Sequence, residues 1–145
     1  MRLSEIPIRV TEHLQADPFI STFGVEVIAN VSADHDVTLE SALRDKGVAL
    51  VVVLASGEPL TKNGPDLHLS NEVVVSVLVN PARNQSELEP MEITEIVLER
   101  LHQAAFADGQ GLHHVFTVDT PAYEAGPLDR GLIIYFCNFQ VKTIQ

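Results

Sequence analysis

Apolar residues along this chain fall into two periods. Ile6, Val10 and Leu14 recur every fourth position, which places them on one stripe of a helix. Pro7 sits in the first turn of that helix, where a missing N–H does little harm, and Ser4 is placed to cap it. Asp17-Pro18 ends the helix and starts one more turn through Phe19-Ile20. Residues 25–31 then read as a first strand. Residues 32–47 are consistent with a short helix carrying Leu39 and Leu43, with Asp36 or Thr38 as its cap and Gly47 as its stop.

Val48 to Leu54, "VALVVVL", is a strand with apolar side chains on both faces. Val73 to Asn80 is another: Val73, Val75, Val77 and Val79 share one face, and Val74, Ser76 and Leu78 share the other. Gly57, Pro59 and Asn63-Gly64-Pro65 lie between them, which predicts a long antiparallel hairpin with a polar tip over 56–66. That tip is a candidate interaction element.

Ile93, Ile96, Val97, Leu101, Ala104 and Ala105 form the buried face of a helix from about Pro90 to Ala107. Glu89 or Ser86 serves its N-terminus, and Asp108-Gly109 stops it. His113 to Val118 is a further strand. Asp129-Arg130-Gly131 turns the chain into a last strand, Leu132 to Thr143, with Ile133, Tyr135, Cys137, Phe139 and Val141 on one face.

The element order predicts a single α+β domain over residues 1–145: a mainly antiparallel sheet of about five strands with two principal helices packed on one face. Two helices leave the second face of "VALVVVL" and of Ile133–Phe136 uncovered. Either the hairpin or another subunit must cover it, and the pattern favours a subunit.

Composition narrows the function. At 145 residues and 46% apolar, the chain is long enough to bury a core. Its formal charge of −11 argues against a nucleic-acid-wrapping or polybasic membrane-binding role. The lone Cys137 excludes an internal disulfide and a cysteine-based zinc site. The first residues contain no signal-peptide core, and no apolar run reaches the roughly 20 residues that span a bilayer, so a cytoplasmic setting is expected.

Candidate chemistry is sparse. Asp34-His35-Asp36 with His113-His114 is the one group resembling a metal cluster, but adjacent histidines on a strand point to opposite faces. Cys137 between Tyr135 and Phe139 reads as core rather than nucleophile. Ser56-Gly57-Glu58 and Asp129-Arg130-Gly131 read as turns rather than active-site loops, since no GxSxG elbow or adjacent base supports them. The connector Asn80-Pro81-Ala82-Arg83-Asn84 joins a strand to a helix, a common place for a phosphate cradle. It lacks GxGxxG and GxxxxGK[ST], and Pro81 removes an N–H donor. Arg83 and Asn84 are therefore candidate surface contacts for a neighbouring subunit. No catalytic residue, cofactor or metal is assigned.

An N-terminal helix ending "LQADPFIS", a strand pair with a polar hairpin, "NEVVVSVLVNPARN" leading into "EITEIVLERLHQAAF", and a final hairpin together resemble the tail terminator and tail-completion proteins of long-tailed bacteriophages and phage-derived particles. The resemblance covers most of the chain. It implies a structural virion protein that forms a ring, commonly a hexamer, which caps the tail tube and joins it to the head. The implied partners are further copies of the chain, the tail tube and head-completion proteins, with no membrane and no sequence-specific nucleic acid. It also implies interface residues in place of catalytic ones: Val51, Val53, Glu58, Lys62, Asn63, Asp66, Arg83 and Asn84. Another head–tail or baseplate component is the nearest alternative. A small α+β enzyme or ligand-binding module using Asp34, His35 and His113 is the alternative from a different class.

Overall fold

The computed structural model describes residues 1–30, 35–60 and 64–144. In chain order the elements are α1 (Glu5–Gln15), α2 (Pro18–Thr22), β1 (Glu26–Ala29), α3 (His35–Asp45), β2 (Val48–Pro59), β3 (His68–Val79), α4 (Pro90–Leu101), β4 (Ala105–Ala107), β5 (His113–Ala125) and β6 (Ile133–Ile144). The strands form a six-stranded sheet in the order β1-β2-β3-β6-β5-β4. β1 runs parallel to β2, and every other pairing is antiparallel. The α+β expectation holds, with one strand more than expected.

Strand alternation divides the sheet into two faces. The inner face carries Val48, Leu50 and Val52 of β2, Val73, Val75, Val77 and Val79 of β3, Phe116 of β5, and Cys137, Phe139 and Val141 of β6. The stripe Ile6, Val10 and Leu14 of α1 and Ile93, Val97 and Leu101 of α4 close over it, all essentially inaccessible to water. These are the two principal helices, and they share one face as expected.

The outer face is different. Ile28 and Ala49, which point away from the main core, pack against Ala42, Leu39 and Leu43 of α3. The sequence allowed only the hairpin or a second subunit to cover this face, and α3 corrects that. It covers the β1–β2 end, while the rest of the face stays open.

Several local expectations change. Ser4 stands at the start of α1 with helical angles and makes no capping bond; instead Glu5 Oε2 accepts from the Arg2 N–H at 2.9 Å. The turn expected after Asp17-Pro18 is α2, and Asp17 caps it by accepting from the N–H groups of Phe19 and Ile20. Asp36 and Thr38 lie inside α3 rather than at its cap. The first strand is shorter than 25–31. Glu89 occupies the α4 cap position without a side-chain bond, while Ser86 Oγ accepts from the Leu88 N–H within the connector.

Helix α4 ends at Leu101, and Ala104 and Ala105 lie beyond it, Ala105 in β4. The reason is competition from the sheet. The Phe116 carbonyl accepts the Gln103 N–H at 2.8 Å, and the Ala104 carbonyl accepts the Phe116 N–H at 2.9 Å. Gln103 takes a φ of 66° to make that turn. Ala105 and Phe106 thus serve a strand, in which Phe106 turns to the core, while Ala104 packs against the core from the turn before it.

Strand β5 continues to Ala125, well past Val118, with a register shift opposite β6 between Val118 and Tyr123. The turn into β6 is as expected: Arg130 and Gly131 have φ of 50° and 78°, and Asp129 pairs with Leu132. Ser56, Gly57, Glu58 and Pro59 belong to β2 and not to a turn, because β2 and β3 stay paired as far as Pro59 and Leu69. The polar tip therefore starts at Leu60.

Candidate interaction surface

The connector between β3 and α4 is fixed to the end of α3. The Gly47 carbonyl accepts the Asn80 N–H at 2.8 Å, and the Lys46 carbonyl accepts the Gln85 N–H at 3.0 Å. Arg83 reaches across to donate to the Arg44 carbonyl at 3.2 Å. A helix ends with unsatisfied carbonyls, and the connector supplies donors close to them. Asn84 folds inward. Its Oδ1 accepts from the N–H and the hydroxyl of Ser86 at 2.9 and 2.6 Å, and its Nδ2 donates to the Leu88 carbonyl at 2.7 Å. Asn84 thus shapes the connector, and Arg83 is the exposed member of the pair.

The paired histidines separate, as alternation requires. His113 points to the outer face beside Val115, Thr117, Gln140 and Lys142. His114 points inward and is 5% exposed. Its Nε2 lies 2.8 Å from Asp108 Oδ2 and its Nδ1 lies 3.1 Å from the Lys142 carbonyl oxygen. Asp108 Oδ1 also accepts the N–H groups of Gln110 and Leu112, and the Met1 nitrogen lies 3.3 Å from Oδ2. The His114 bond holds the Asp108 carboxyl well below the usual range; partial burial opposes this, and the two N–H bonds add to it. This cluster ties the β4–β5 turn to β6 and to the chain start.

Asp34 lies outside the described residues. Among the described residues, no group of three or more His, Cys, Asp or Glu side chains is arranged to hold a metal. Cys137 is fully buried on the inner face, and burial pushes its thiol up to about 12, which suits core packing and not nucleophilic attack. Among those residues, no helix is long and apolar enough to cross a membrane.

What remains open is the outer face of the sheet. Between α3 and the loop after β5 lies a groove of about 210 Å³ lined by Leu39, Val51, Leu78, Pro127, Ile134 and Phe136, among others. Val51 is only 8% exposed. Val53, Val74, Leu78, Ile134 and Phe136 are half-buried, and Gly126 of the loop after β5 lies close against Ile134 and Phe136. At the groove's rim, Leu128 is 96% exposed. Toward the hairpin tip the same face becomes polar, with Ser56, Glu58, Ser70, Glu72 and Gln140 gathered together and Ser56 Oγ donating to Glu72.

Of the residues singled out from the sequence, Val51, Val53 and Glu58 lie on this face, and Asp66 is exposed beyond it. Lys62 and Asn63 lie outside the described residues. Leu78, Ile134 and Phe136 were legible as second-face residues from alternation alone. Leu39 and Leu43 signalled the helix α3, but nothing in their spacing says that it packs on the outer face, and the projection of Leu128 carries no periodic signal.

Fold and surface define an α+β domain with helices over one sheet face and an apolar, partly open second face. The same fold occurs in a solved chain described as "Virion of native gene transfer agent (GTA) particle". The match has a TM-score of 0.60, covers 94% of this chain and 92% of that one, and has 15% sequence identity. No protein-family model matches the chain, and no curated protein sequence matches it.

Proposed function

We propose that this protein is a structural virion component of a phage or phage-derived particle, and specifically a tail terminator. In this reading, copies of the chain close into a ring, taken as a hexamer, that caps the tail tube and presents a surface to head-completion proteins. It is assembled in the host cytoplasm and retained in the particle. The observation that carries the reading is the fold shared with a gene transfer agent virion chain over nearly the full length of both.

The half-buried apolar residues of the outer face support it, because a tail-tube or head-completion protein seated on that face would remove them from water. The net charge of −11 supports it as well, since a lumen through which DNA slides should not hold phosphates by Coulomb attraction. Val53, Glu58, Asp66 and Arg83 are the exposed or half-exposed candidates for the contact between copies.

Native mass spectrometry of the purified protein tests the proposal. A discrete ring, or a concentration-dependent shift toward one, is expected, and added tail-tube protein should stop elongating once capped. A strict monomer at high concentration overturns it.

A further inference from the structure

The sheet has two unpaired stretches of strand edge, on opposite sides and at opposite ends. β1 pairs with β2 only from Ala49 to Val52, with the Asn30 N–H reaching the Val52 carbonyl. Beyond it, residues 56–59 of β2 have no partner on that side among the described residues, and all are exposed. On the other side, β4 covers β5 only over 113–115, and Gln103, Ala104 and His102 extend that cover to Val118. Residues 120–125 of β5 then run without a partner on their outer side, and all but Ala122 are exposed.

We infer that these two edges are the joint between neighbouring copies: β2 residues 56–59 of one chain pair antiparallel with β5 residues 120–125 of the next. The inference rests on the ring reading above and names the surfaces that would form it.

Strand polarity permits the joint. Three successive antiparallel pairings, β2 to β3 to β6 to β5, leave β2 and β5 running in opposite directions. A neighbour placed in the same orientation therefore brings β2 antiparallel to β5, the arrangement that continues the sheet. Because the two edges are different surfaces, the contact is head-to-tail and not two-fold, as ring formation requires.

The offset fits a closed ring. Tyr123 is level with Cys137 and hence with Val75, whereas Gly57 is level with Asn71. Measured along β3, the centres of the two edges differ by the distance from Asn71 to Val75, about 13 Å at the usual rise per residue. Four strands span about 19 Å across the sheet. Returning each copy to the same level then needs strands inclined to the ring axis by about 35°, within the tilt that closed sheets adopt. Pro59 and Pro121 limit each stretch to a short ladder, and Glu58 and Glu124 add like charge, so a single joint is weak and discourages uncontrolled edge pairing.

Cross-linking tests this. Ser56 and Glu124 both point to the outer face, opposite Glu72 and Phe136. The chain carrying both Ser56→Cys and Glu124→Cys, treated with a short bismaleimide, should give a ladder of covalent multimers ending at the ring size. Mixing the two single variants should give dimers and nothing larger, and each single variant alone should stay uncross-linked, since the native Cys137 is inaccessible. If native mass spectrometry shows a ring but the double variant yields no ladder, the joint lies elsewhere and the ring reading stands. Dimers from one single variant alone indicate a two-fold contact and overturn the inference. A strict monomer overturns both readings.

Discussion

A side-chain carbon on Gly47 would fall 2.3 Å from the carbonyl carbon of Arg83, inside any permitted contact. Gly47 also holds a φ of 74°, which few side chains accept. The end of α3 and the connector after β3 are thus in backbone contact. Gly47→Ala should destabilise the fold by about 2–4 kcal/mol, through strain plus forced separation of the two segments. Urea unfolding with an unchanged slope would measure it; a change below about 0.5 kcal/mol would contradict the close approach.

The two faces of β2 should respond differently to charge. Val52 is fully buried on the inner face, whereas Val53 is half-buried on the outer face. Val52→Lys should unfold the subunit, since an unpaired ammonium in the core costs several kcal/mol. Val53→Lys should leave helical circular dichroism intact, shift stability by no more than about 1 kcal/mol, and weaken assembly. Equal unfolding by both would place Val53 in the subunit's own core.

Acid should loosen the Asp108–His114 cluster. The folded carboxyl is held below its unfolded value, so its stabilisation is complete above pH ~4 and is lost as pH falls through the folded value. Asp108→Asn should therefore be less stable than the parent at pH 7, and the gap should narrow steadily below pH ~4. Melting temperatures of both proteins across that range decide it. A constant gap would mean that the carboxyl's charge contributes nothing.

Cys137 should behave as a silent thiol. Its thiol is pushed up to about 12 by burial, so the native protein should not react with a thiol-specific disulfide reagent at pH 8, and denaturant should release one equivalent per chain. Rapid labelling of the native protein would show that the inner face opens locally.

Much of this architecture is visible in the chain because burial imposes a period. Ile6, Val10 and Leu14 gave α1, and Val73 to Val79 gave both the strand and the face it buries. The extra turn after Asp17-Pro18 and the turn at Asp129-Arg130-Gly131 were readable because each is a local backbone requirement met by particular residue types. The errors share a cause as well. Ala104 and Ala105 fit the helical period, yet the bond from the Phe116 N–H to the Ala104 carbonyl and the pairing of Ala105 with Val115 draw them into the sheet. Ser56, Gly57 and Pro59 look like turn residues, yet pairing with β3 extends past them.

The sequence by itself determined the fold class, the inner core face and the absence of a recognisable catalytic motif, since each follows from residue type and spacing within one segment. Only the tertiary structure decided that α3 covers part of the outer face, that Asn84 turns inward while Arg83 stays at the surface, and that His114 is buried beside Asp108 while His113 is not. Those outcomes depend on which segments far apart in sequence compete for the same hydrogen bonds and the same apolar surface. The connector shows the difference plainly. Its missing glycine motifs and Pro81 argue against a phosphate cradle, but its attachment to Gly47 and Lys46 exists only once α3 and β3 have come together.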